Sequence, residues 1–375
     1  MPWKESSRMT ERAELVRWAQ LPERNLRRLA QRFGVSEKTA YKWLGRARAE
    51  GSLEDQSRRP HTSPHQTPAV IEAQVLAVRD AHPVWGPRKI RAVLRADGMP
   101  TPPALSTIAA VLRRHGRLRE DRRSVRDWQR FEAPAPNVLW QMDFKGHIAA
   151  GRVRCHPLTV LDDHSRFNVC LQACADERRT TVQAQLTATF ERYGLPTAIL
   201  TDNGSPWGGA NAERPHTQLG AWLIRLGIDV LHGQPHHPQT QGKEERFHRT
   251  LKAEVLTRRP VWRSLDELQR AFDDWRAVYN FRRPHEALDD QPPGTRYAPS
   301  DRVFPGTLPA IEYGPQDTVR MVHDRGRVKF RGRIVRVSHA FIGQPVALRP
   351  IDDGVWDIYY CHQRIGQTDL SAEEV

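Results

Sequence analysis

The sequence is short of cysteine, of lysine and of long apolar runs, and each shortage excludes a class of protein. Four cysteines (Cys155, Cys170, Cys174 and Cys361) in 375 residues are too few and too scattered for a disulfide scaffold. None forms a C-x-x-C pair, which argues against structural zinc despite 16 histidines. No run approaches the roughly eighteen apolar residues that a membrane span needs. Mean hydropathy is -0.67, so neither a span nor a secretory leader is expected, and the cytoplasm, at the nucleoid, is the expected compartment. Only 8 of the 58 basic residues are lysine, and the 50 arginines are planar forks suited to phosphate and guanine.

What the chain has in excess is positive charge. The 58 basic residues stand against 44 acidic ones, which leaves +14 and the electrostatic footprint of a nucleic-acid partner. Residues 1–130 hold 27 basic and 14 acidic side chains, so nearly all of the net charge lies in the first third. A coding bias toward arginine explains the Arg/Lys ratio but not this clustering.

A chain of this length holds more than one core, and the pattern predicts a multidomain protein. An all-α helix-turn-helix DNA-binding domain is expected over 1–56. There Leu26, Leu29, Ala30 and Phe33 form one apolar face, Gly34-Val35-Ser36 breaks it, and Ser36 caps the next helix. That helix turns Ala40, Trp43 and Leu44 inward and Lys38, Thr39, Lys42 and Arg46 outward, as a helix reading the major groove requires. The bland alternative is a helical hairpin with a solvated basic face; the tight turn favours DNA. A Pro-rich linker (57–68) leads to a second helical DNA-binding domain (69–130), whose arginine-rich end from Arg113 to Arg130 suits a phosphate backbone.

From 131 to 282 the pattern changes. Strands at Val138–Ile148, Leu158–Asp162 and Phe167–Ala175 are followed by alternating helix and strand, with a strand at Thr197–Thr201 and a helix from about Gly242 to Leu256. This predicts an α/β RNase H-like core with trailing helices. A Pro-rich connector (283–309) precedes alternating residues over 310–375, read as a small β-barrel.

Three carboxylates fall where such a core would gather them. Asp143 lies in the first strand, Asp202 just past the fourth, and Glu244 or Glu245 early in the last core helix. Hard oxygen ligands of this kind suit Mg2+ or Mn2+, and two such ions can serve the attacking and leaving oxygens of a phosphodiester. Taken singly, an aspartate at a strand end is more often a turn former or a hydrogen-bond acceptor. Helical spacing sets Glu244 on the stripe of Phe247, His248, Leu251 and Val255 and so leaves the choice of glutamate open.

The surrounding motifs are Trp140-Gln141-Met142-Asp143-Phe144, Leu161-Asp162-Asp163-His164-Ser165-Arg166, Thr201-Asp202-Asn203-Gly204 and His237-Pro238-Gln239-Thr240-Gln241-Gly242-Lys243-Glu244-Glu245-Arg246. Further along come Tyr279-Asn280 and Arg283-Pro284-His285-Glu286. With these motifs the chain resembles bacterial insertion-sequence transposases that carry a retroviral-integrase-like DDE catalytic core behind an N-terminal helix-turn-helix. The resemblance implies a catalytic, metal-binding triad of Asp143, Asp202 and Glu245, the glutamate that precedes Arg246. It also implies two Mg2+ or Mn2+ ions, double-stranded DNA of element ends and target as partner, and a dimer or tetramer on that DNA. The implied reaction is end cleavage followed by strand transfer.

Between Asp202 and Glu245 lie 42 residues, more than the family usually has, and the excess falls in Ser205–His216. Lys243 and Arg246 are candidate phosphate contacts, Asn203 a candidate to position Asp202, and Asp162-Asp163 a support for the site. His236, His237 and His248 lack zinc-ligand spacing. The rival reading is a catalytically silent DNA-binding regulator; a nonspecific nuclease would have little use for two recognition domains.

Overall fold

The computed structural model describes residues 7–22, 24–49, 51–55, 67–118, 132–208, 216–233, 242–259 and 261–371. The chain divides into two compact units, 1–66 and 67–375. Most of the 57–68 linker lies outside the described residues, as do 119–130 of the arginine-rich stretch and 234–241 of the last core motif.

The first unit packs three helices, α1 (Arg8–Ala19), α2 (Leu26–Arg32) and α3 (Glu37–Ala49). Asn25 Oδ1 accepts from the amides of Arg27 and Arg28 at the start of α2, and Ser36 Oγ accepts from Thr39 N at 3.2 Å at the start of α3. Gly34 between them takes φ +64°, the left-handed region that favours glycine at a helix end. Leu15, Val16, Leu29, Ala30, Ala40 and Trp43 fill the core, with Leu15 and Val16 supplied by α1, a helix not expected from the sequence pattern.

The second unit begins with α4 (Ala69–Ala81), α5 (Pro87–Ala96) and α6 (Leu105–Arg114), packed around Val75, Trp85, Ile90, Ile108 and Leu112. A sheet follows: β1 (Leu139–Phe144), β2 (Ile148–Ala150), β3 (Val153–Asp162) and β4 (Asn168–Cys174), helix α7 (Arg179–Tyr193), then β5 (Ala198–Thr201), α8 (Gln218–Arg225) and β6 (Asp229–His232). Its order is β2-β3-β1-β5-β6, with β4 also on β3. β3 is antiparallel to β1 and β4, and β5 is parallel to β1 and β6. This is the RNase H-like layer. The single first strand expected over 138–148 is interrupted around Gly146, which takes φ +76°, and pairing along β3 then resumes in the same direction as β2.

Helices α9 (Gly242–Glu254) and α10 (Leu265–Phe281) cover one sheet face through Phe247, Leu251, Phe272 and Trp275. The buried Glu254 carboxylate accepts from Trp85 Nε1 (3.2 Å), Trp275 Nε1 (2.9 Å) and Arg283 Nε (2.9 Å), which ties the α4–α6 helices to α9 and α10. The motif residues Asn280 and Arg283 thereby find structural work, since Asn280 also exchanges two 2.9 Å hydrogen bonds with the backbone of Asn168 on β4. The Pro-rich connector is strapped along the core: Tyr297 stacks on Phe167 at 4.1 Å, and Asn137 Nδ2 donates to Ala298 O at 2.8 Å.

The expectation of a C-terminal barrel is corrected. Strands β7 (Thr318–Met321), β8 (Arg327–Phe330), β9 (Arg333–Arg336), β10 (Pro345–Asp352), β11 (Val355–Tyr360) and β12 (Gln363–Asp369) make an open sheet of order β12-β11-β10-β7 and a separate β8-β9 hairpin. No closed barrel forms among the described residues. The apolar face that alternation predicted (Val346, Leu348, Trp356, Ile358, Tyr360) is instead continuous with the core under α7 and α8, so the sheet needs no closure on itself to leave water. Gln363 seals the contact, exchanging hydrogen bonds with the backbone of Val230 on β6.

Candidate active site

Asp143 stands near the end of β1, on the face that α9 covers. Gln141 and Asp143, two residues apart, share that face, while Trp140 and Met142 point to the α7 and α8 side. The parallel pairing of β1 with β5 ends at Gln141↔Leu200; two residues further along each segment lie Asp143 and Asp202, whose charges interact. Burial and then the Asp202 charge push the Asp143 carboxyl up to about 7. Asp143 has no Lys or Arg ion pair among the described residues; its near neighbour is His248, whose Nδ1 lies 3.8 Å from Oδ2.

Asp202 Oδ1 accepts from Gly204 N at 2.9 Å and from Trp207 Nε1, and the Trp207 ring stacks on Phe144 at 5.1 Å. Trp207 belongs to the lengthened stretch after Asp202, so part of that insertion is built into the site. Sequence reading noticed the stretch but not this residue. Asn203, the expected positioning residue, is exposed and donates to Gly233 O at 3.1 Å.

The two glutamates part ways. Glu244 is 1% exposed and lies on the buried stripe with Phe247 and Leu251, whereas Glu245 is exposed on the first turn of α9. Burial, and then the Asp143 charge, raise Glu244 well above the ordinary glutamate range. Its Oε2 lies 3.1 Å from Thr159 Oγ1, and its Oε1 has no hydrogen-bond partner. His248 is held down to about 4 by burial and then by Lys145, so at neutral pH the ring is uncharged and acts as a hydrogen-bonding group.

Lys243 is not presented to solvent as expected. It is half-buried and pairs with the wholly buried Asp163 just past β3, where an unpaired carboxylate would be costly. Arg246 is exposed. In the first unit Lys38 and Lys42 are exposed, Thr39 is half-buried with its hydroxyl 2.8 Å from Ser36 Oγ, and Arg46 donates to Glu54 O at 3.1 Å beside the Trp43 ring. Tyr41, which the sequence reading passed over, is 64% exposed on the same helix.

The donor set of Asp143, Asp202 and Glu245 suits a hard divalent cation. All the oxygens are carboxylate, and Asp143 and Asp202 repel each other with neither in a Lys or Arg ion pair among the described residues. Among the described residues no three His, Cys, Asp or Glu side chains stand together closely enough to hold a metal as placed. Because Asp143 must lose its proton to ligate, Mn2+ affinity measured by calorimetry is expected to fall as pH drops through about 7. The limiting slope is about tenfold per pH unit. Affinity that stays level across that range removes Asp143 from the site.

The family described as "Integrase core domain" matches residues 133–238 and, by a second profile of that description, 226–293. "IS481 family transposase, C-terminal domain" matches 317–375, "Helix-turn-helix domain" 11–61 and "Homeodomain-like domain" 39–112. The chain is 28% identical over 274 residues to an uncharacterized 39.2 kDa protein of insertion element IS476 from Xanthomonas euvesicatoria, covering 72% of this chain and 74% of that one. It is 24% identical to an uncharacterized 31.7 kDa protein of insertion element IS407 from Burkholderia multivorans, covering 70% and 90%. With the Gag-Pro-Pol polyprotein of mouse mammary tumor virus it shares 29% identity over 32% of this chain, spanning 6% of the polyprotein. Among solved structures, an intasome of simian T-cell lymphotropic virus aligns over 77% of this chain and 97% of its own at 16% identity and TM-score 0.38. No helix is long and apolar enough to cross a membrane among the described residues. Helix-turn-helix domains, an integrase core of the polynucleotidyl-transferase kind and an IS481-type C-terminal domain stand in one chain, and its function is that of an insertion-element transposase: DNA binding and integration.

Proposed function

We propose that the chain binds the terminal inverted repeats of its element and performs metal-dependent end cleavage and strand transfer at Asp143, Asp202 and Glu245. The observation that carries this is Asp143 beside Asp202 at the strand ends of an integrase core, two carboxylates brought within repulsive range, neither in a Lys or Arg ion pair among the described residues. Glu245 is the third ligand in this reading because a site that receives DNA must face solvent, and Glu245 does while Glu244 does not. One observation favours Glu244 instead, its partnerless buried oxygen coupled to Asp143. Two Mg2+ or Mn2+ ions held there would supply positive charge to the attacking and leaving oxygens.

The chain's own groups bind and orient. Trp207 and Gly204 fix the Asp202 carboxylate, and Arg246 lies exposed on the helix that carries Glu245, within reach of a DNA phosphate. Hydrolysis of a phosphodiester at the element end frees a 3′ hydroxyl, which then attacks a target phosphodiester, one P–O bond forming as another breaks. Two ends must be held at once, so a dimer or tetramer on DNA goes with this reading, in the cytoplasm. A strand-transfer assay on end-repeat DNA with Mg2+ or Mn2+ tests it: binding without cleavage or joining would leave the silent regulator.

Recognition is assigned to α3, with Lys38, Thr39, Lys42 and Arg46 as contacts. Lys42→Ala is expected to weaken binding to all duplexes alike and to lower the slope of log K against log salt by about one unit, the signature of one lost phosphate contact. Thr39→Ala is expected to relax preference at one base position. Unchanged affinity and slope in Lys42→Ala, measured by titration at several salt concentrations, would take α3 out of the groove.

A further inference from the structure

The face of the sheet under α9 contains polar groups where an apolar stripe would suffice. Thr159 on β3 pairs opposite Asp143 on β1, and its hydroxyl lies 2.9 Å from Asp143 O, 3.1 Å from Glu244 Oε2 and 2.8 Å from His248 Nε2. One hydroxyl therefore joins the backbone of Asp143 to two residues one turn apart on α9. Next to it, Asp163 Oδ1 takes both Lys243 of α9 and Gln141 Nε2 of β1, the latter at 2.7 Å. Thr159 and Asp163 are wholly buried, Glu244 is 1% exposed and Gln141 2%.

Burying this many polar groups costs free energy that Leu or Val would not, and one Glu244 oxygen is left without a partner. What hydrogen bonds supply and apolar packing does not is direction: a greasy helix can slide or roll on a sheet, whereas two polar clamps resist both. One clamp runs from β1 through Asp163, just past β3, and the other from β1 through β3, and both reach the first two turns of α9, which carry Glu245.

We infer that the clamps Lys243–Asp163–Gln141 and Glu244/His248–Thr159–Asp143 O are positioning devices that set Glu245 against Asp143 for a divalent cation, without themselves being ligands. This rests on the reading of Asp143, Asp202 and Glu245 as the ligands. The helix turn is then held ready before any ion arrives, and its loosening weakens the ion's hold rather than the fold.

The test is Mn2+ affinity of the full chain by calorimetry, with thermal melting alongside. Thr159→Val keeps the shape and loses the hydroxyl; it is expected to weaken Mn2+ binding by about 10- to 100-fold while retaining the cooperative melting of the wild type. Thr159→Ser, which restores the hydroxyl, is expected to restore affinity. Gln141→Met, close in volume, is expected to act like Thr159→Val through the other clamp. Should Thr159→Val not fold, Glu244→Gln takes its place with a weaker but same-signed effect, since it keeps the volume. Wild-type Mn2+ affinity in the folded variants overturns the inference, as does a loss that tracks only the unfolded fraction or that Thr159→Ser does not repair. A wild-type chain that binds no Mn2+ overturns the ligand reading itself, so the two failures are distinguishable.

Discussion

Asp143→Asn is expected to reduce end cleavage and joining by about 10³-fold or more, roughly 4 kcal/mol of transition-state stabilisation, while end-DNA binding stays nearly intact. The amide keeps the carboxylate's shape and its place opposite Thr159, but it removes a charged ligand from the edge shared with Asp202. Loss of activity through unfolding can be told apart by sign. The Asp143 carboxyl is raised to about 7, so its ionised form opposes folding in full above that pH, and the cost declines as pH falls below it and is gone only below the ordinary carboxylate range. Without metal, Asp143→Asn is therefore expected to melt no lower than wild type above pH 7. Undiminished strand transfer in this variant would remove Asp143 from the triad.

Glu245→Gln is expected to be as damaging to cleavage and joining as Asp143→Asn, and Glu244→Gln distinctly milder. Glu245 is exposed, so its replacement disturbs no packing, and a large effect there can only be chemical. Glu244 sits in a closed space against Thr159 and His248, where glutamine of equal volume keeps most of the hydrogen bonding. Its effect should appear first as a higher Mn2+ requirement. The reverse order, with Glu244→Gln inactive and Glu245→Gln active, identifies the buried glutamate and its partnerless oxygen as the ligand. The periodicity of α9 would then have been the better guide than the family register.

Much of this was legible in the residues because it depends on near neighbours in sequence. The turn at Gly34 follows from local backbone chemistry, the alternation of Gln141 and Asp143 from the period of a strand, and the choice between Glu244 and Glu245 was left open by helical spacing for the same reason. The charge of the first third announced a nucleic-acid partner without any fold at all. Tertiary structure alone decided what each polar group faces. Lys243 reads as a free basic residue on a helix, yet Asp163, eighty positions away, claims it. Thr159 reads as a strand former, yet it sits where β1, β3 and α9 meet. The alternating C-terminal residues specified a sheet with one apolar face, but whether that face closes on itself or docks on α8 depends on another surface offering cover, and the core under α7 and α8 offers it. Periodicity records which side of an element avoids water; the identity of what lies across from that side is set by chain segments too distant for any local pattern to carry.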